Sequence, residues 1–136
     1  MDLQVGVKAV IRNKEGKYLL LRRSGSEAKG VWDIAGGRIE PGIPLRDNLI
    51  REIREETGLD FDGKEKIIAA QDIFPSYGGR HIVRLTYIIE MDGMPDLNPA
   101  EHDEFRWVSF EEMKSLPNLD VYLKELIDRG VFKAGA

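Results

Sequence analysis

Three glutamates, Glu52, Glu55 and Glu56, stand three and four residues apart in the run Arg51-Glu52-Ile53-Arg54-Glu55-Glu56-Thr57-Gly58-Leu59. On a helix each residue turns by about 100°, so the three carboxylates fall within one sector roughly 100° wide. Like charges at that spacing repel and weaken a helix on its own. A hard divalent cation would turn that repulsion into binding, because Mg²⁺ prefers carboxylate and water oxygens. The acids also lie toward the C-terminal end of the helix, where the macrodipole disfavours negative charge, so something else should offset them. The alternative is a solvated face on which Arg51 and Arg54 balance the glutamates as ordinary helix pairs.

The elements around this run can be read from periodicity and punctuation. Leu45, Leu49 and Ile53 recur every four residues, which predicts a helix over 45–57 with an apolar stripe beside the acidic sector. Pro44 suits its first turn and Gly58 its left-handed end. Ahead of it, 5–11 and 18–23 read as strands joined by a turn at Asn13-Lys14-Glu15-Gly16. A polar loop over 24–30 leads to a short strand, 31–34, that runs into Gly36-Gly37; Pro41, Gly42 and Pro44 make 38–44 a loop. Further on, 67–74 and 82–90 read as strands, with Val83, Leu85, Tyr87 and Ile89 on one face of the second. Residues 91–104 read as an acidic loop and 105–108 as a last short strand. Ser109 and Glu112 form a capping box, and 120–129 reads as a closing helix ended by Gly130.

Composition narrows the class. The 136 residues form one domain, 1–136, of mixed α/β type, without repeats or linkers. A chain of this length buries enough surface to fold without disulfides or a structural metal. Its 20 basic and 24 acidic residues give a net charge of −4, a poor match to a general nucleic-acid binder. With no cysteine, a thiolate zinc site and a Cys nucleophile are excluded. Hydrophobic residues make up 42% and mean hydropathy is −0.34, and no apolar run approaches the roughly 20 residues that span a bilayer. The start, Met1-Asp2-Leu3-Gln4, does not read as a signal peptide, so cytoplasm is the expected location and no membrane partner is expected.

The segment Gly37-Arg38-Ile39-Glu40-Pro41-Gly42-Ile43, seven residues, and then Arg51 through Leu59 resembles the 23-residue box of the Nudix (MutT-like) hydrolase family. Trp32-Asp33-Ile34-Ala35-Gly36-Gly37 is similar to that family's approach to the box. One defining position departs: the family has a glutamate where this chain has Ile43, and Glu40 does not stand at the matching place. The resemblance implies a Nudix fold, an α/β/α sandwich with a mixed sheet. It also implies Mg²⁺- or Mn²⁺-dependent hydrolysis of a nucleoside diphosphate linked to another group. By the same resemblance Glu52, Glu55 and Glu56 are the metal-binding and catalytic acids, with Glu52 and Glu56 the direct ligands. The backbone carbonyl near Gly36 or Gly37 completes such a site, with Gly37 the expected one, and Arg51 orients the glutamates. A carboxylate from a later loop serves this family as general base or extra ligand; Glu101, just ahead of 105–108, is the expected one and Glu104 the second choice.

The polyanionic substrate so implied needs cationic contacts. Arg22 and Arg23 end a strand beside the acidic helix, and alternation lets only one face the cleft. Arg38 is a further phosphate candidate. Trp32 reads as core packing rather than a base-stacking platform, and His81 and His102 as structural or surface residues. Pro75 and Tyr77 are weak and conflicting substrate markers. A chain this compact suits a nucleoside triphosphate, ordinary or oxidised, with ADP-ribose as the alternative. Two other readings stand beside hydrolysis. Loss of the acid at Ile43 would fit a weakly active nucleotide-binding module, and an isopentenyl diphosphate isomerase shares the fold but uses a cysteine absent here. A homodimer is open.

Overall fold

Alternating apolar residues in the N-terminal half build the centre of a seven-stranded mixed sheet. The computed structural model describes residues 1–75 and 78–133. The strands are β1 (Asp2–Arg12), β2 (Tyr18–Arg23), β3 (Trp32–Asp33), β4 (Ala35–Arg38), β5 (Lys66–Ile73), β6 (Arg80–Glu90) and β7 (His102–Val108), with helices α1 (Leu45–Thr57), α2 (Phe110–Ser115) and α3 (Val121–Asp128). The path runs β3-β2-β1-β6-β5, with β4 paired to β1 and β7 to β2. The β1–β6 pair is parallel and the others antiparallel, which makes the sheet mixed.

The period of two in β1 and β2 sorts their side chains onto two cores. Val7, Ala9, Ile11, Leu19 and Leu21 pack with Leu49 and Ile53 of α1. Val10, Tyr18 and Leu20 pack on the other face with Met113 of α2 and Leu123, Leu126 and Ile127 of α3. The result is the expected α/β/α sandwich. Leu49 and Ile53 are fully buried, each contributing about 1.5–3 kcal/mol. Leu45, the third member of the predicted stripe, is 39% exposed; the buried face of α1 runs instead through Asn48, Leu49, Glu52, Ile53 and Thr57.

Three differences from the sequence expectation exceed two residues. β1 starts at Asp2 because its edge continues in register against β6 as far as Arg80. Gly36 and Gly37 lie within β4, paired with Lys8 and Val7, and do not merely follow a strand. β7 starts at His102, so three residues assigned to the acidic loop belong to the sheet. On β6, Leu85, Tyr87 and Ile89 join the α1-side core, whereas Val83 stays outside it. The helix ends follow the sequence signals: Gly58 adopts φ +71° and donates to the Arg54 carbonyl, and Ser109 and Glu112 form the reciprocal capping box. Tyr77 lies outside the described residues.

Beneath the sheet, Lys8 Nζ donates to Asp33 Oδ2 at 2.9 Å and to the Ile34 carbonyl at 3.2 Å. Arg23 reaches the same Asp33 oxygen at 3.3 Å. Burial alone would raise the Asp33 pKa, but Lys8 and then Arg23 outweigh it and hold the carboxylate ionised. Asp33→Ala leaves the Lys8 ammonium buried without its carboxylate, and is expected to cost about 3–5 kcal/mol in urea denaturation. Lys8→Met combined with Asp33→Leu should recover most of that loss.

Candidate active site

The C-terminal turns of α1 face β4 and the start of β7, and this contact assembles the site. Glu52 is buried, at 8% exposure, and its Oε1 accepts from Arg51 Nη1 at 2.7 Å. Burial raises its pKa and Arg51 opposes the rise. Four residues on, Glu56 Oε1 accepts the Gly36 N–H at 2.9 Å. Burial, opposed by Lys8 and the Gly36 hydrogen bond, pushes the Glu56 carboxyl up to about 7. Glu55 is exposed and takes a 3.2 Å ion pair from Arg51. Arg51 therefore clamps two of the three glutamates.

Arg51 is itself held by Asn48 Oδ1 at 3.0 Å and the Arg38 carbonyl at 3.1 Å. Asn48, buried and missed by the sequence reading, also bonds the Ile43 and Pro44 carbonyls and the Glu40 N–H, tying the 40–44 loop to α1. Ile43 is 42% exposed. The carboxylate that approaches Arg51 from this loop is Glu40, with Oε1 3.8 Å from Nε.

Among the described residues, the group of acid and imidazole ligand atoms that converges within 4.8 Å is Glu56, Glu101 and His102. Glu101 thus comes to Glu56. Glu104 instead pairs with Arg22 at 3.1 Å and Arg106 at 3.4 Å. His102 is buried, as a structural residue would be, but its ring belongs to this cluster, which its isolation in sequence did not reveal. Burial and then Arg23 and Lys8 lower its pKa, favouring the neutral ring. His81 pairs with Asp72 at 2.8 Å and stacks on Phe74, away from the cluster.

The two arginines separate as alternation requires. Arg22 lies over Trp32 and pairs with Asp103 at 2.8 Å. Arg23 turns to the α1 side and lines two adjoining clefts that share Arg23 and Glu56. The first, about 230 Å³, is walled by Val5, Val7 and Ile82 with Lys8, Arg38 and Arg84 at its polar side. The second, about 460 Å³, is walled by Ser26, Glu27, Glu101 and His102. Arg38 therefore borders the cleft. Trp32 is core packing, gripped by Arg22 and Arg106. Lys8 was missed; its signal was a lone cation inside the apolar run of β1.

Converging carboxylates and a neutral imidazole, beside cationic side chains, can hold a divalent cation against a polyphosphate. Comparison with known proteins agrees with this chemistry. The family model described as NUDIX domain matches residues 2–129. CTP pyrophosphohydrolase of Escherichia coli (strain K12) is 34% identical over 83% of this chain and 82% of its own length. ADP-ribose pyrophosphatase of Methanocaldococcus jannaschii is 30% identical over 85% of this chain and 65% of its own. The crystal structure of a MutT protein from Methanosarcina mazei Go1 superposes with a TM-score of 0.83 at 28% identity, covering 94% of this chain and 92% of that one.

Proposed function

This chain belongs to the NUDIX family and is a hydrolase of pyrophosphate bonds, and from that premise we propose that it cleaves a nucleoside triphosphate to the monophosphate and pyrophosphate. The observation that carries the reading is the pair of clefts joined at Arg23 and Glu56. One is part apolar and suits a nucleoside; the other is lined by acids and suits phosphates with their counter-ions. The relative named for CTP is matched along 82% of its length and the one named for ADP-ribose along 65%, and the fuller match supports the triphosphate reading.

A His102 ring whose Nδ1 lacks a partner, grouped with the Glu56 and Glu101 carboxylates, fits a divalent cation, proposed as Mg²⁺ or Mn²⁺. Glu56 would hold it with Glu101, and Glu52, with Glu55 on the same sector and the Gly37 backbone, would supply further oxygen donors. When bound, the cation screens the polyphosphate and polarises its oxygens. Glu101 has two carboxylate oxygens, so one can face the cation while the other takes the proton of the attacking water. Arg51 opposes the rise that burial causes in the Glu52 pKa and fixes its carboxylate. Arg23, with Arg38 at the rim, binds the phosphates; Arg22 is committed to Asp103 and Trp32.

The test is a panel of nucleoside triphosphates, ADP-ribose and dinucleoside polyphosphates with Mg²⁺ or Mn²⁺, with products resolved by ion exchange. Monophosphate plus pyrophosphate, abolished by chelator, is expected. A kcat/KM for ADP-ribose above that for every triphosphate would move the substrate. Nucleotide binding without any product would make the chain a binding module. Arg23→Gln should raise KM about 10–100-fold, the worth of a charge-assisted hydrogen bond, while Arg22→Gln leaves KM within about twofold.

A further inference from the structure

We propose that His102 is a nitrogen ligand of the cation held by Glu56 and Glu101, and that it biases this site toward first-row transition ions over Mg²⁺. The inference concerns the same site and rests on its cation-binding reading, but not on which nucleotide is cleaved.

The argument begins with a backbone irregularity. Along β2 and β7 the antiparallel partners run Tyr18–Val108, Leu19–Trp107, Leu20–Arg106, Leu21–Phe105 and Arg22–Glu104. The next pair is Arg23–His102, so Asp103 is the extra residue of a β-bulge. Without the bulge His102 would share a face with Glu104 and Arg106, on the side of Trp32. The bulge carries it to the face of Arg23, toward α1 and Glu56, because directly paired residues point the same way.

Once there, the ring is 5% exposed and its Nδ1 is buried without a hydrogen-bond partner. A buried unpartnered nitrogen costs roughly 1–3 kcal/mol, so such an atom calls for a ligand. One ring nitrogen lies within 4.8 Å of a carboxylate oxygen from both Glu56 and Glu101. A single cation can sit between atoms at that spacing, since metal–donor distances are about 2.0–2.2 Å and opposed donors lie roughly twice that apart. Two oxygens alone would suit Mg²⁺. An imidazole donor shifts the set toward Co²⁺, Ni²⁺ or Zn²⁺.

Mn²⁺-loaded protein, studied by electron spin-echo envelope modulation, gives a readout independent of turnover. The chain has 2 histidines, so the assignment is simple. Nitrogen modulation that shifts on ¹⁵N-histidine labelling is expected in the wild type. It should persist in His81→Gln and vanish in His102→Gln. By calorimetry, His102→Gln should weaken Co²⁺ binding at least about tenfold and leave Mg²⁺ within about twofold. Should His102→Gln not fold, the His81→Gln protein, with His102 its remaining histidine, carries the assignment. Mn²⁺ bound without nitrogen modulation, modulation surviving in His102→Gln, or no Mn²⁺ binding would overturn the inference. Hydrolysis without nitrogen coupling would refute it and leave the hydrolase reading standing. Coupling without hydrolysis of any nucleotide would support it and sink the substrate proposal.

Discussion

Glu56→Gln is expected to lower turnover about 10²–10⁴-fold while making the cation-free protein more stable at pH 8, two effects of opposite sign from one proton. Glu56 is the carboxylate common to both clefts and to the Glu101–His102 group, so the amide removes the charge on which a cation depends. The isosteric amide still offers an oxygen to the Gly36 N–H, so the backbone contact survives. The stability gain follows from linkage. The folded carboxyl titrates at about 7 against an ordinary 4.5. Below the unfolded value both states are protonated and nothing is lost. Between the two values the unfolded chain gives up its proton while the folded one keeps it, so stability falls as pH rises; above the folded value the loss is complete. It amounts to on the order of 3 kcal/mol at most. Urea denaturation in chelator at pH 5 and pH 8 should show wild type losing stability between them and Glu56→Gln losing less. Divalent cation should restore the wild type at pH 8 and do little for the variant. A wild type whose stability does not fall across this range would show that Glu56 titrates as an ordinary surface acid.

The parts of this site that local rules govern were legible in sequence. Helix α1 spans the predicted residues because Gly58 can take the left-handed conformation and the Leu49–Ile53 spacing buries one face. The acids of its last turns follow from that helix. Alternation alone separated Arg22 from Arg23. What stayed hidden depends on contacts distant in sequence. Leu45 fits the stripe by spacing, yet at the first position of α1 it is 39% exposed. The Gly36–Gly37 pair reads as a break by composition, but β1 supplies a partner edge and makes it a strand. The face that His102 takes was the least legible feature. A period of two counted back from Val108 puts it on the Trp32 side, and only the extra residue at Asp103 reverses that. Nothing in residues 102–104 marks the bulge, because it arises from pairing with β2.

The two adjacent glycines of β4 should fail in different ways when each gains a methyl group. At Gly37 an added Cβ would lie 2.7 Å from Cδ of Glu52 and 2.5 Å from its Oε2, nearer than such atoms approach. The obstacle is the far end of one side chain, so the backbone can stay while Glu52 moves. Overpacking of this kind costs about 1–3 kcal/mol. The displaced carboxylate also loses its 2.7 Å contact with Arg51 and its place beside Glu56. A shift near 1 Å in such a group is worth on the order of 10²-fold in rate, so Gly37→Ala should fold and lose about that much kcat. At Gly36 the backbone itself forbids the methyl. Its φ is +153°, and a Cβ there would overlap the Val7 carbonyl oxygen and come 2.6 Å from Lys8 Cδ. The β1–β4 ladder would have to open and the Lys8–Asp33 pair shift with it, a loss of about 3–5 kcal/mol. Thermal denaturation and kcat measured on both variants separate the cases. If Gly37→Ala retained full kcat, the close approach of β4 would not be what positions Glu52. If Gly36→Ala melted with the wild type, β4 would not be held against β1 as tightly as its register requires.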